Sequence, residues 1–346
     1  MKIGILGGTD GLGKTIAKFF KSNDFDITVT GRNIEKGEKV SKELSVNFSN
    51  DNKKTVTHSD IVIIAVPIDN IENLVIEIAK SLKSDTIVID VASVKEKIIK
   101  IMNKYLPENI EYIPSHPVFG PRTHSLEGQI IVLTPEKKGK NYKKVKEFLE
   151  NQGSNIVEST AKEHDKMMAI VQVLTHFSYI STASAIAKLG VEIKDTRKFA
   201  SPIYNLMVDI ISRITSQNPI LTYSIQKDNE LGEKVRETFF ESVKSLKEAI
   251  TNSDEDKFIE IAKIATANID DIESSLGRSD KAINALTNEM IRLKNSVGRV
   301  IAIENILTEK HYYGILKKLD NEFLTIKTDK NKEITMKIAN IQLLDY

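Results

Sequence analysis

Over the first 160 residues, short β-branched runs alternate with longer stretches whose apolar positions recur at helical spacing, the pattern of a parallel sheet covered by helices. The runs are Ile3 to Leu6, Ile27 to Thr30, Ile61 to Val66, Thr86 to Asp90, Glu111 to Ile113 and Ile130 to Leu133. They predict a doubly wound α/β domain over residues 1–160. From about Glu163 the texture changes. Met167, Ile170, Val171, Leu174 and Phe177 form one helical stripe, and further helical stretches run from Tyr204 to Thr215, Pro219 to Gln226, Glu230 to Thr251, Asp254 to Leu276 and Ser279 to Ser296. An all-α domain is therefore expected over 161–297.

Beyond Val297 the period shifts to that of strands. Val300 to Ile303, Tyr313 to Leu316, Phe323 to Ile326 and Glu333 to Ile338 are separated by polar turns such as Asp320-Asn321 and Asp329-Lys330-Asn331. Four or five short antiparallel strands over 298–346 could close into a small barrel similar to the SH3 or Sm-like type.

Composition narrows the function classes. A chain of 346 residues exceeds what one core usually holds. With 49 basic and 48 acidic residues it carries a formal charge of +1, so it has no general attraction for nucleic acid or an anionic membrane. An anionic ligand must be gripped locally. The absence of cysteine excludes disulfides, thiolate metal sites and a cysteine nucleophile, and no metal is expected. No uncharged apolar run approaches the roughly 20 residues of a membrane span, and Ile3 to Leu6 is too short for a signal-peptide core. These observations predict a cytoplasmic protein with no membrane partner.

Directly after the first run comes Gly7-Gly8-Thr9-Asp10-Gly11-Leu12-Gly13, leading into the helical stretch Lys14 to Phe20. Strand, glycine turn and helix in that order aim free N–H groups and the positive end of a helix at a pyrophosphate, as in Rossmann-type dinucleotide folds. At the end of the second strand an acidic residue would bind a ribose 2′-hydroxyl and an arginine a 2′-phosphate. Here Thr30-Gly31-Arg32 offers no carboxylate, which favours NADP, with NAD as the alternative. Val66 and Pro67, closing the third run, are the remaining cofactor candidates.

Pro114-Ser115-His116-Pro117 follows the fifth strand, and the flanking prolines predict a stiff loop that fixes the histidine at the cofactor crevice. Ser93 follows the fourth strand at the same edge. The runs Asp90-x-x-Ser93-x-Lys95, Ser115-His116-Pro117-x-Phe119-Gly120-Pro121 and Glu163-His164-Asp165-x-x-Met168-x-x-x-Gln172-x-Leu174-x-His176-Phe177 resemble those of the prephenate dehydrogenase family. The resemblance covers roughly residues 1–230 and does not reach the terminal strands. It implies oxidative decarboxylation of prephenate to 4-hydroxyphenylpyruvate in tyrosine biosynthesis, by a homodimer built through the helical domain. It also implies His116 as the base for the substrate's C4 hydroxyl, Ser93 as its hydrogen-bonding partner, His176 as a pocket residue and Arg213 as a carboxylate clamp. A forked guanidinium suits a dicarboxylate, and an imidazole suits a hydroxyl proton. His164, between Glu163 and Asp165, is expected to brace the start of its helix.

Two competing readings follow from the same residues. The stretch through Gly31-Arg32 also resembles deazaflavin-dependent NADP oxidoreductases, which have no need of Ser93, His116, His176 and Arg213 together. A regulatory NADP-binding protein is the other, with Lys317, Lys318, Lys327, Lys330 and Lys332 facing a partner or a nucleic acid. Scattered lysines on a small β domain are usually a solvated face, so nucleic acid is not expected.

Overall fold

A computed structural model describes residues 1–344. The chain forms two compact units, one of Met1–Ile193 with Ile210–Glu248, the other of Lys194–Asp209 with Ala249–Tyr346. The first is built on an eight-stranded sheet with strands β1 (Lys2–Leu6), β2 (Asp26–Thr30), β3 (Asn47–Ser49), β4 (Ile61–Ile64), β5 (Ile87–Asp90), β6 (Glu111–Pro117), β7 (Ile130–Leu133) and β8 (Asn155–Glu158). Their spatial order is β3-β2-β1-β4-β5-β6-β7-β8. All neighbours run parallel except β6 and β7, which are antiparallel. The chain leaves β1 for β2 on one side and later returns to β4 on the other, which opens a crevice beyond the strand ends at that reversal.

The alternation of side chains along each strand splits the core in two. Val62 and Ile64 of β4 join Ile71, Val75, Ile98 and Met102 on one face, while Ile61 and Ile63 join Ile5, Ile16, Ala17 and Val29 on the other. Both faces of β4 are thus buried, as its unbroken Ile-Val-Ile-Ile run requires. Two strands absent from the sequence reading, β3 and β8, lie at the two edges of this sheet. Edge strands need few apolar residues, and Asn47-Phe48-Ser49 and Asn155-Ile156-Val157-Glu158 are correspondingly polar and short.

Helical residues also enter this core, since Val173 and Ile225 are buried in the same cluster as β4 and β5. Val173 lies in a π-helical stretch, Ala169–Leu174, between the helices Ala161–Met168 and Thr175–Lys188. One wider turn changes which residues face inward, so Val173 meets the apolar core while its neighbour Gln172 turns to a polar site.

The second unit holds a five-stranded antiparallel sheet of β9 (Val300–Asn305), β10 (Lys310–Leu319), β11 (Phe323–Lys327), β12 (Glu333–Lys337) and β13 (Ile341–Leu343), ordered β12-β11-β10-β9-β13. Leu293 of the helix Ile272–Asn295 packs into its core with Ile301, Ile303, Leu316, Leu324, Ile326 and Ile341. Among the described residues no ladder pairs β12 with β13, so the expected barrel is an antiparallel sheet with two edges. The single helix expected from Asp254 to Leu276 is two, Glu255–Ala267 and Ile272–Asn295. Asp271 ends the continuity by capping the second, its carboxylate accepting from the Ser274 amide at 3.0 Å.

Candidate active site

The glycine turn leaves β1 and meets the helix Gly11–Ser22. Gly7 has a φ of +86°, and a side chain there would lie 2.7 Å from the Ala65 carbonyl oxygen. A side chain on Gly13 would collide with the Gly7 carbonyl, so this glycine lets helix and strand pack closely. Around Gly11, with a φ of +50°, the space is open. The turn thus leaves a cradle over the first helical turn, whose N–H groups have no carbonyls within the helix. These features fit a pyrophosphate.

The remaining nucleotide candidates divide by exposure. Asp10 is the N-cap, accepting from the Gly11 amide at 2.8 Å, and its carboxylate is paired with Lys36, which holds its pKa below the usual value. Thr9 is buried, and Leu12 packs at the edge of the apolar core. Thr30 is buried, with its hydroxyl donating to Asn52 at 2.7 Å and its carbonyl accepting from the Gly7 amide at 3.2 Å. It therefore supports the turn from below, and the hydroxyl is already used. Arg32 is exposed beyond the end of β2 and has no carboxylate partner among the described residues. Val66 packs under the Gly7 turn, and Pro67 opens the helix Ile68–Ile78.

His116 departs from the expected loop. It lies within β6, paired in antiparallel register with Val132 of β7. The prolines are tolerated because they only accept here: Pro114 takes the Thr134 amide at 3.1 Å, and the ladder continues with Val118 donating to Ile130 at 2.9 Å. The position at the C-terminal end of a strand is as the motif suggested, but the strand fixes the imidazole.

That imidazole is 2% exposed and both of its nitrogens are engaged. Nδ1 is 2.8 Å from His164 Nε2, and Nε2 is 3.2 Å from Gln172 Nε2. His164 Nδ1 is in turn 2.7 Å from Asp165 Oδ1. His164 is thus a member of the site and not a helix brace, a role filled by Thr160, whose hydroxyl accepts from the Glu163 amide. Spacing within the motif did not reveal this, because the contact joins residues 48 positions apart. Burial, with the neighbouring His164 and Lys95 adding to it, pushes the His116 pKa well below that of a free histidine.

The surrounding polar residues explain the first motif. Lys95, fully buried, pairs with Asp90 and donates to the Ser115 carbonyl at 2.6 Å. Asp90 also takes the Tyr112 hydroxyl at 2.6 Å and the Ala92 amide at 2.9 Å. Asp90 and Lys95 therefore clamp the turn that carries Ser93 and tie it to the strand that carries His116. Ser93 is half-buried and makes no hydrogen bond to His116, whose nitrogens are held by His164 and Gln172. His176, on the helix Thr175–Lys188, is half-buried with Nδ1 lacking a partner, and burial lowers its pKa. Arg213 is exposed on the helix Pro202–Thr215. Neither His176 nor Arg213 bonds to the His116 cluster. Arg122 and His124 are exposed in the turn after β6, where Pro121 accepts from Thr15 at 2.8 Å.

The glycine turn after β1 and the buried imidazole at the end of β6 share the C-terminal edge of one sheet, the arrangement of a nicotinamide-dependent oxidoreductase. Comparison with known proteins specifies which. Residues 16–158 match the model of the prephenate dehydrogenase nucleotide-binding domain and residues 160–264 that of the prephenate dehydrogenase dimerization domain. The chain is 40% identical over 348 residues to a probable arogenate/prephenate dehydrogenase of Methanocaldococcus jannaschii, covering 99% of this chain and 78% of that protein. A 30% identical match to the T-protein of Enterobacter agglomerans covers 51% of this chain and 46% of that one. Among solved structures, Aquifex aeolicus prephenate dehydrogenase in complex with hydroxyphenyl propionate and NAD+ aligns with a TM-score of 0.61 at 22% identity, covering 77% of this chain and 96% of that one. Synechocystis arogenate dehydrogenase aligns at 0.55 and 21% identity, over 78% and 98% of the two chains. The chain belongs to the prephenate dehydrogenase family, NAD(P)-dependent oxidoreductases of tyrosine biosynthesis.

Proposed function

We propose that this protein oxidises and decarboxylates prephenate to 4-hydroxyphenylpyruvate with NADP, using His116 as the base. The observation that carries the reading is the imidazole of His116, buried with its pKa lowered at the end of β6, on the same C-terminal sheet edge that carries the glycine cradle after β1. Gly7, Gly8, Thr9, Asp10, Gly11, Leu12 and Gly13 would hold the pyrophosphate, with Val66 and Pro67 as the adjoining wall. The nicotinamide supplies the hydride acceptor when bound. As the C4–H bond gives up its electron pair, His116 Nε2 takes the C4 hydroxyl proton. Loss of CO2 from the ring then returns electrons to the oxygen and restores aromaticity, so the proton can go back and the protein mainly aligns and buffers.

Ser93 offers a hydroxyl to the same oxygen, and His176 a buried nitrogen that no protein group satisfies. Arg213, without a carboxylate partner among the described residues, is the candidate clamp for a substrate carboxylate. Residues 1–160 are read as the dinucleotide domain, 161–297 as the substrate and dimerisation domain, and 298–346 as an appended β domain. A cytoplasmic setting is part of this reading, and the cysteine-free composition is compatible with its reducing conditions.

Against the expectation that no apolar run approaches a membrane span, the helical stretch Ala161–Lys188 is long and apolar enough by composition to cross a bilayer, yet it is little buried within the chain, which favours a homodimer. Ile170 and Val171 are more than half exposed along it, and a second copy would cover them. An absorbance assay at the nicotinamide band, with prephenate or arogenate and each cofactor, tests the proposal. Turnover of prephenate with preference for NADP is expected. Turnover of arogenate alone would change the substrate, and a preference for NAD would remove the role given to Arg32.

A further inference from the structure

With both imidazoles neutral, the polar chain behind His116 has one arrangement of protons in which every contact joins a donor to an acceptor. Asp165 fixes it. Its Oδ1 accepts from the Lys95 amide at 2.8 Å and its Oδ2 from the Glu96 amide at 2.9 Å, where the helix Glu96–Tyr105 begins. Two amides at a helix N-terminus donate to this carboxylate, so both of its oxygens are acceptors here. Facing an accepting carboxylate, a neutral His164 carries its proton on Nδ1 and presents a lone pair on Nε2. His116 must then donate from Nδ1 to His164 and keep its own lone pair on Nε2. Gln172 agrees with this assignment, because its Nε2 is the amide atom turned toward that lone pair at 3.2 Å, while its Oε1 is left buried without a partner.

Resting on the reading of His116 as the base, we propose that His164 and Asp165 are positioning residues. They hold His116 with its accepting nitrogen outward and share the positive charge it gains. When the substrate hydroxyl replaces Gln172 as donor, its proton passes to His116 Nε2. The proton on Nδ1 can then move to His164 Nε2, leaving an imidazolium on His164 against the Asp165 carboxylate. When CO2 has left and the ring oxygen carries the electron pair, the two transfers reverse. No net proton is consumed. The arrangement answers the difficulty that burial creates: a desolvated imidazole is a poor place for a positive charge, and an adjacent ion pair relieves it.

Other charged groups face the relay. Lys95 and Asp90 lie on the side of β5 and the following turn, and Glu96 lies beside Asp165 with Glu230 against it. A shift in a pH profile alone could therefore come from any of them, and the test needs a direct view of the protons. In the wild-type protein, 15N spectra of the imidazoles near neutral pH should show His116 protonated on Nδ1 and unprotonated on Nε2. The opposite tautomer would overturn the proposal whether or not any variant folds. His164→Gln keeps a hydrogen-bond acceptor near Nδ1 and removes the second imidazole. It should lower kcat by about 10- to 100-fold, the usual range for losing an orienting partner of a histidine, with the KM for prephenate little changed. The acid limb of its kcat profile should also move. For His164→Ala, added imidazole should restore part of the lost turnover. Wild-type kcat and pH profile in His164→Gln would sink the relay while leaving the base intact. Full turnover in His116→Asn would instead sink the base.

Discussion

The glycine cradle and the His116 cluster sit along the C-terminal edge of one sheet, yet they are built by opposite means. The cradle is made of backbone. Its residues are consecutive, Gly7 to Gly13, and its function comes from side chains that are missing, so that carbonyl and amide groups can approach one another and a ligand. The His116 cluster is made of side chains from Asp90, Lys95, His116, His164, Asp165 and Gln172, which are brought together from β5, β6 and two helical segments and shut away from water. The cradle meets charge with dipoles at a surface. In the proposed reading the cluster manages protons in a buried site, where each donor must have its acceptor.

The largest effect should come from removing the proton acceptor. His116→Asn should lower kcat by about 10²- to 10⁴-fold, the range for general base catalysis, and leave the dissociation constant for the cofactor unchanged. Stopped-flow turnover and a fluorescence titration of the cofactor would measure the two separately. Equal losses in both would mean that the two regions are not independent.

The reciprocal change belongs to the cradle. Gly13→Val places a branched side chain against the Gly7 carbonyl, a backbone atom that cannot swing aside. Cofactor affinity should fall by more than the roughly 10-fold that one lost hydrogen bond of about 1.4 kcal/mol would give. The 15N pattern of His116 should stay as in the wild type. An unchanged affinity would show that the turn tolerates being pushed apart.

The difference between the regions also decides what could be read from sequence. The cradle was legible because it is local: strand, glycines and helix follow one another within the first 22 residues. The central strands were legible for a related reason, since burial on both faces demands unbroken runs like Ile61–Ile64. β3 and β8 were not, because an edge strand asks little of its residues. His116 was found by its motif but was expected in a loop, since the partner strand that accommodates Pro114 and Pro117 lies elsewhere in the chain. His164 was misread for the same reason. Its neighbours Glu163 and Asp165 suggested a helix start, whereas its role is defined by an imidazole 48 residues away. The π-helical turn that aims Gln172 leaves no local mark that periodicity can detect.

A smaller effect separates the regions by pH. His116 titrates well below its ordinary value of 6.5, because the folded protein disfavours its charged form. The unfolded chain therefore binds a proton as pH falls through about 6.5 while the folded one does not. Stability contributed by the neutral imidazole is complete above that pH and declines below it, by up to about 1.4 kcal/mol per pH unit until the folded group titrates. His176 adds to the decline with the same sign. Urea denaturation at pH 7 and pH 5 should show a larger loss in wild type than in His116→Asn. Parallel losses would mean that other groups dominate the acid sensitivity.

The smallest expected effect lies at the rim of the cradle. Arg32 is exposed, and Thr30 beside it has its hydroxyl committed to Asn52, so the proposed preference for a 2′-phosphate rests on a solvated guanidinium, with Lys36 on the same rim. Lys36 is itself held by Asp10, which returns negative charge to the same rim. Exposed charge pairs are worth about 1 kcal/mol or less and weaken with salt. Arg32→Ala should therefore raise the KM for NADP several-fold at low ionic strength and by less in 0.5 M salt, with the KM for NAD nearly unchanged. Asp10→Asn should act the other way, because it removes the carboxylate and releases Lys36. A fall in the KM for NADP in Asp10→Asn that disappears when Arg32→Ala is added would show that the two cations act on one phosphate. Independent effects would assign the preference to the turn itself.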